Sequence, residues 1–178
     1  EDTTLTGNLS QSADSVIDVL AGKTLLYSGS VLNIGSNLLT VSGAGAINNS
    51  GSFVLNSIDS QLRFSAGGTI NNVSVTGNDL TTGLIDVDES TTITTLSLNN
   101  TANIDIAATK ILTITNLFSV PASKSLSLNG TGKMLTAGAL TINGTLALTG
   151  TVLDCNSTVT VNAGGVLDGG TGSLELDG

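Results

Sequence analysis

Carboxylates are the side chains in this chain whose grouping most suggests chemistry. Asp86 and Asp88 stand two residues apart in LIDVDES, Glu89 follows at once, Asp79 precedes them, and Asp105 comes nineteen positions after Asp86. On an extended strand, residues i and i+2 project from the same face, so Asp86 and Asp88 would offer their oxygens side by side. Hard oxygen donors suit Ca²⁺; the competing reading is a solvated acidic loop. The rest of the catalytic repertoire is thin. The chain has no His, a single Cys at position 155, and five cations: Lys23, Arg63, Lys110, Lys124 and Lys133. Without histidine no Ser–His or Cys–His pair can be built. One cysteine supplies neither a zinc site nor an internal disulfide, and Cys155 reads as a small apolar residue facing inward. The expectation is a protein that is not an enzyme, with no catalytic residues, no cofactor and no metal.

The overall balance narrows the partners. Net charge is −9, and five scattered cations cannot form the basic stripe that neutralises phosphates, so nucleic acid is excluded as a partner. No apolar run approaches the roughly 18 residues of a membrane span. With no Trp and only Tyr27 beside three Phe, the aromatic platforms on which sugars stack are missing. Charged residues make up 11% of the chain against about 25% in an ordinary domain. The surface must therefore consist of hydroxyls and amides, a composition that points to an extracellular, secreted protein. The chain opens Glu1-Asp2 without Met, which reads as a processed or excised piece.

What would position these residues is a repeat. The segment Leu140–Leu176 falls on itself when slid by 19 positions, pairing Leu140 with Val159, Thr141 with Thr160, Ile142 with Val161 and Asn143 with Asn162. Upstream, Ile85-Asp86-Val87 matches Ile104-Asp105-Ile106 at 19, and Ile104 precedes Leu126 by 22. Between the short apolar pieces lie Gly, Ser, Asn and Thr, which are turn compositions. Starts recur every 6–9 residues, too closely for helices. The reading is an all-β, single-domain parallel β-solenoid (β-helix) of eight or nine coils, each of 19–22 residues with three short strands. Rungs about 4.8 Å apart would make a rod about 40 Å long. Residues 1–15 form an N-terminal cap or arm and 16–178 the solenoid. A single coil cannot bury its own apolar residues, but a stack lines a continuous bore. Leu140, Ile142, Val159 and Val161 should fill it while Thr141 and Thr160 face out. Phe53, Phe64 and Phe118 should sit where the bore widens.

Asn recurs after strand-like pieces at Asn99, Asn129, Asn143 and Asn162, and one residue later at Asn116. Asn tolerates the left-handed backbone of a corner, and stacked amides can bond from rung to rung. Seven asparagines (8, 48, 72, 99, 129, 143 and 156) also open N-x-S/T sequons. Thr92-Ile-Thr94, Thr113-Ile-Thr115 and Thr158-Val-Thr160 have the form of ice-ordering ladders, but the array is interrupted at Asn143 and Ser127.

The motifs TINGTLALTG (141–150), TVTVNAGGVLDGG (158–170) and SLSLNGTG (125–132) resemble the repeats of secreted bacterial β-solenoid proteins, the filamentous-haemagglutinin-like and autotransporter-passenger adhesins. The resemblance implies a right-handed parallel β-solenoid exported to the cell surface as a stalk, adhesin or matrix fibre. Solenoid ends expose unpaired backbone and need cover. Leu174 and Leu176 at one end, with Leu5, Leu9 and Val16 at the other, are expected to form a polymerisation interface. The resulting function is an extracellular structural subunit that stacks head to tail into a homopolymeric filament. Alternatives are an adhesin stalk fragment and an ice-binding or polysaccharide-binding solenoid, with cell-surface or matrix polysaccharide as a second partner.

Overall fold

Short β-branched and leucine-rich pieces alternate inward and outward residues, so each can bury one row only against copies of itself. The result is a parallel β-solenoid, seen in a computed structural model that describes residues 2–76 and 84–177. Among the described residues there is no helix, and every strand pairing is parallel. The described residues make eight coils of three strands each and one strand of a ninth.

Three faces result. Face A carries nine strands, from Thr3–Leu5 and Thr24–Tyr27 to Val152–Cys155 and Ser173–Leu176. Face C follows it in each coil and carries eight, from Leu9–Ser10 to Val159–Val161. Face B closes the coil with eight more, from Ser15–Asp18 to Val166–Asp168. In the middle of the rod the A and C strands fuse into single eight-residue strands, Gly68–Val75 and Thr91–Leu98. The corners between C and B and between B and A are tighter. There, backbone i→i+3 bonds close turns such as Leu20–Lys23, Ala107–Lys110, Pro121–Lys124 and Asn162–Gly165.

On face A the register advances by 19 to 23 residues per coil, with Lys133 over Val152 at one extreme and Thr69 over Thr92 at the other. On face B it reaches 24, between Ser15 and Leu39 and between Ala102 and Leu126, two residues beyond the range expected from the sequence. One expected pairing is corrected: Ile104 stacks on Leu128, and Leu126 on Ala102. The shift is two residues, so the same side chains still face inward, and apolar spacing alone cannot distinguish the two registers. Within residues 1–15, the strands Thr3–Leu5 and Leu9–Ser10 pair in parallel with Leu25–Tyr27 and Leu32–Asn33.

One contiguous apolar column fills the bore. Phe53, Phe64 and Phe118 are fully buried in it, as is Tyr27, whose ring meets Phe53 edge-on at 6.0 Å and 71°. Leu140 and Ile142 are buried while Thr141 faces out. Each large apolar side chain removed from water contributes about 1.5–3 kcal/mol, and the bore is continuous, so every coil stabilises its two neighbours. Close stacking leaves no room for side chains at some corners. A Cβ on Gly51 would lie 2.1 Å from the carbonyl oxygen of Ser30 in the coil below.

Candidate functional site

The expected acidic site resolves into a charge ladder on face B. Outward positions there run Thr40, Arg63, Asp86, Asp105, one per rung, so Asp105 does stack on Asp86. The Arg63 guanidinium donates to Asp86 at 2.8 Å and lies 3.6 Å from Asp88. The hydrogen bond to Asp86 is the main reason that Arg63 holds its proton more tightly than usual. Burial, reinforced by the charges of Asp86 and Asp88, raises the Asp105 carboxyl above the ordinary carboxylate range. Glu89 lies apart and accepts from Lys110 at 2.8 Å. Among the described residues no three His, Cys, Asp or Glu side chains converge as metal ligands; Asp79 lies outside them. The cluster is a set of ion pairs between rungs.

Lys133 makes a second ladder that the sequence reading missed. Its ammonium donates to Asp154 one coil on, at 3.0 Å, and to Glu175 two coils on, at 2.7 Å. The bond to Glu175, then that to Asp154, drives the lysine's affinity for its proton upward. Offsets of 21 and 42 residues, close to one and two coil lengths, were the available signal. The ladder ties the last strand, Ser173–Leu176, to the two coils beneath it.

Asparagines do ladder, though not as expected. Asn162 donates to the Asn143 side chain at 2.7 Å, and Asn143 to the Ser119 hydroxyl at 3.3 Å. Asn99, Asn143 and Asn162 each follow a face C strand, with Pro121 at that place in the coil between. Asn129 belongs to a face B strand and so to another column. None of them supplies a left-handed corner. Among the described residues, the only non-glycine residues with positive φ are Thr109 and Ser123. Among the described residues the most enclosed asparagine is Asn49, 1% exposed, which bonds with Asn71 and Asn72 at the corner of A and C. The doublets Asn48-Asn49 and Asn71-Asn72, 23 apart, were the overlooked signature.

Of the threonine triplets, 92–94 and 113–115 stack on adjacent rungs of face A, with Thr69 below Thr92. The row stops at Leu135, and Thr158-Val-Thr160 belongs to face C. Cys155 is buried, 1% exposed, beneath Leu176; burial pushes its thiol pKa up.

The two ends remain. At the first, Leu5 continues the inward column over Tyr27 and Leu9 that over Leu32. Val16 instead pairs with Thr40 at an outward position of face B and is 66% exposed. A cavity of about 420 Å³ opens there, lined by Leu5, Val16, Ile17, Val19, Leu20 and Leu25 among others. At the other end, Leu174 lies over Leu153 and Leu176 over Cys155, 39% and 62% exposed, and Val161 is 48% exposed. A second cavity, about 430 Å³, is lined by Asn156, Ser157, Thr158, Val159 and Leu176. The outermost coils are thus the places where inward-facing residues lack a covering rung among the described residues. Comparison with known proteins returned no matching family model, curated protein or solved structure.

Proposed function

We propose that this chain is an extracellular structural subunit that stacks head to tail into a filament. One observation supports this reading above the others: among the described residues, the first and last rungs present parallel strand edges and inward apolar side chains with no rung over them. Those side chains are Leu5 and Leu9 at one end, Leu174, Leu176 and Val159 at the other. Such edges pair readily with another chain, and a heterologous contact that does not close grows a fibre. Elsewhere the outward carboxylates of the Arg63 and Lys133 ladders are engaged within the rod, which favours a structural role over catalysis. The low charge and the hydroxyl- and amide-rich surface fit an exposed setting outside the cell, and the resemblance to secreted bacterial adhesin repeats accords with it.

Electron microscopy of the purified chain tests the reading. Fibres one solenoid wide are expected, and Leu176→Asp should shorten or abolish them. Dispersed monomers at high concentration overturn the proposal. The same open edges also suit a segment of a longer adhesin stalk, in which neighbouring coils of one chain would cover them.

A further inference from the structure

Lys133 and the two carboxylates it meets sit on successive rungs of face A, in the strands Lys133–Thr136, Val152–Cys155 and Ser173–Leu176. The lysine Nζ lies 3.0 Å from Asp154 Oδ2 and 2.7 Å from Glu175 Oε2. The two acids are not equivalent. The Asp154 side chain is 11% exposed, against 46% for Glu175. The second Asp154 oxygen, Oδ1, is shut off from water and has no hydrogen-bond partner among the described residues. Burying a charged oxygen without a donor is costly.

From this arrangement we infer a covalent modification: Lys133 Nζ and Asp154 Cγ join in an amide, an isopeptide bond that fastens one coil to the next. Two protons leave the ammonium, one passing directly to Asp154 Oδ2 and one held briefly by Glu175. Nζ forms its bond to Cγ, the Cγ–Oδ2 bond breaks, and Oδ2 departs with both protons as water. Glu175 starts and ends as a carboxylate, and nothing is oxidised or reduced. Oδ1 becomes the amide oxygen, so a neutral carbonyl replaces a charged group at the spot where no donor reaches it.

Three properties favour the reaction at this place. Paired strands hold the amine against the carboxyl, which turns a bimolecular step into an effectively unimolecular one. The dry Oδ1 gains by losing its charge. A second carboxylate stands ready to take the proton that the amine must lose. The Lys110–Glu89 pair, 2.8 Å apart, is the contrast. Its carboxylate is 46% exposed and well solvated, so those two side chains should stay unjoined. The carboxylates around Lys133 also strengthen its hold on its proton. Little neutral amine is therefore present, and the bond forms slowly after folding. It lies within one chain and does not depend on filament growth.

Intact-mass spectrometry after prolonged incubation of the folded chain tests this. The parent is expected to weigh one water less than its sequence, and tandem spectra of a digest should join Lys133 to Asp154. Lys133→Arg keeps a cation between the carboxylates but should show the full sequence mass. Glu175→Gln keeps both reacting groups and should lower the cross-linked fraction several-fold at equal times, with folding of each variant checked by circular dichroism. If a variant fails to fold, the tandem spectra of the parent decide. A parent mass equal to that of the sequence, once incubation no longer changes it, overturns the proposal. A water loss that Lys133→Arg retains overturns it too, since the dehydration would then lie elsewhere.

Discussion

Asn49 and Asn72, one coil apart at the corner of faces A and C, bind each other through both side chain and backbone. The Asn49 amide donates to the Asn72 carbonyl at 2.7 Å, the Asn72 amide donates to the Asn49 carbonyl at 2.8 Å, and the Asn72 N–H donates to the Asn49 side-chain oxygen at 3.2 Å. Asn49 also donates to the Gly51 carbonyl and accepts from the Asn71 N–H. A polar side chain is tolerated inside the corner because its hydrogen-bonding groups are engaged.

Asn49→Ala should therefore be costly. It strands the N–H groups of Asn71 and Asn72 and two carbonyls near the core, a loss of about 2–4 kcal/mol, or roughly 5–15 °C in Tm. Asn48→Ala, on the exposed side of the same corner, should stay within about 0.5 kcal/mol of the parent. Thermal unfolding followed by circular dichroism measures both. Equal effects would contradict the assignment.

Asp105 gives a pH-dependent expectation. Its carboxyl titrates above the ordinary 3.8 in the folded chain, so ionising it costs more when folded than when unfolded. Above the raised value this penalty is present in full; it fades as pH falls through that value and is gone below 3.8. Asp105→Asn should then stabilise the protein at neutral pH. Allowing for solvent screening the gain is about 0.5 kcal/mol, near 1–2 °C in Tm. At pH 3 the variant and the parent should melt together. A gain that persists unchanged at that pH would rule out titration as its source.

Thr109 carries backbone strain that its own fold shows how to relieve. It is the third residue of the turn Ala107–Lys110 and has φ of 66°. The equivalent turns Leu20–Lys23 and Asn162–Gly165 place Gly22 and Gly164 there, with φ of 72° and 83°. A β-branched residue is poorly suited to that region. Thr109→Gly should stabilise by about 0.5–1 kcal/mol, since relief of about 1–2 kcal/mol exceeds the chain-entropy cost of glycine. Gly22→Thr should do the reverse. Urea midpoints would show both; destabilisation by Thr109→Gly would contradict the strain.

Cys155 can report on the final strand. Its thiol is covered by Leu176, and that strand is tied down through Glu175 and Lys133. Modification by a thiol reagent should be slow and governed by local opening of the end. Lys133→Ala should speed it several-fold with little change in global unfolding. If the rate is unchanged, the ladder does not hold the strand.

The winding of the chain could be read from sequence because it depends on a local alternation repeated many times, which any one coil can violate without loss. Register could be read only modulo two, as Ile104 and Leu128 demonstrate, since a shift of two keeps every side chain on its face. The corner chemistry was harder. Asn49 looks like any other asparagine until the turn of the strand brings it against residue 72. Lys133 likewise acquires meaning only once coil length brings positions 154 and 175 above it. Asp86 and Asp88 showed where charge gathers, whereas their partner Arg63 lies 23 residues before Asp86 and could be assigned only from the register of face B.

Because the strands lie across the rod, the hydrogen bonds between coils run along it. Pulling on the two ends would load those bonds in line, and failure would begin at an outer rung and pass inward one coil at a time. Each coil of about 21 residues would release roughly 70 Å of chain while shortening the folded rod by only about 4.8 Å. Such a rod would yield in many small steps and absorb work at each, a mode of extension in which toughness grows with the number of coils.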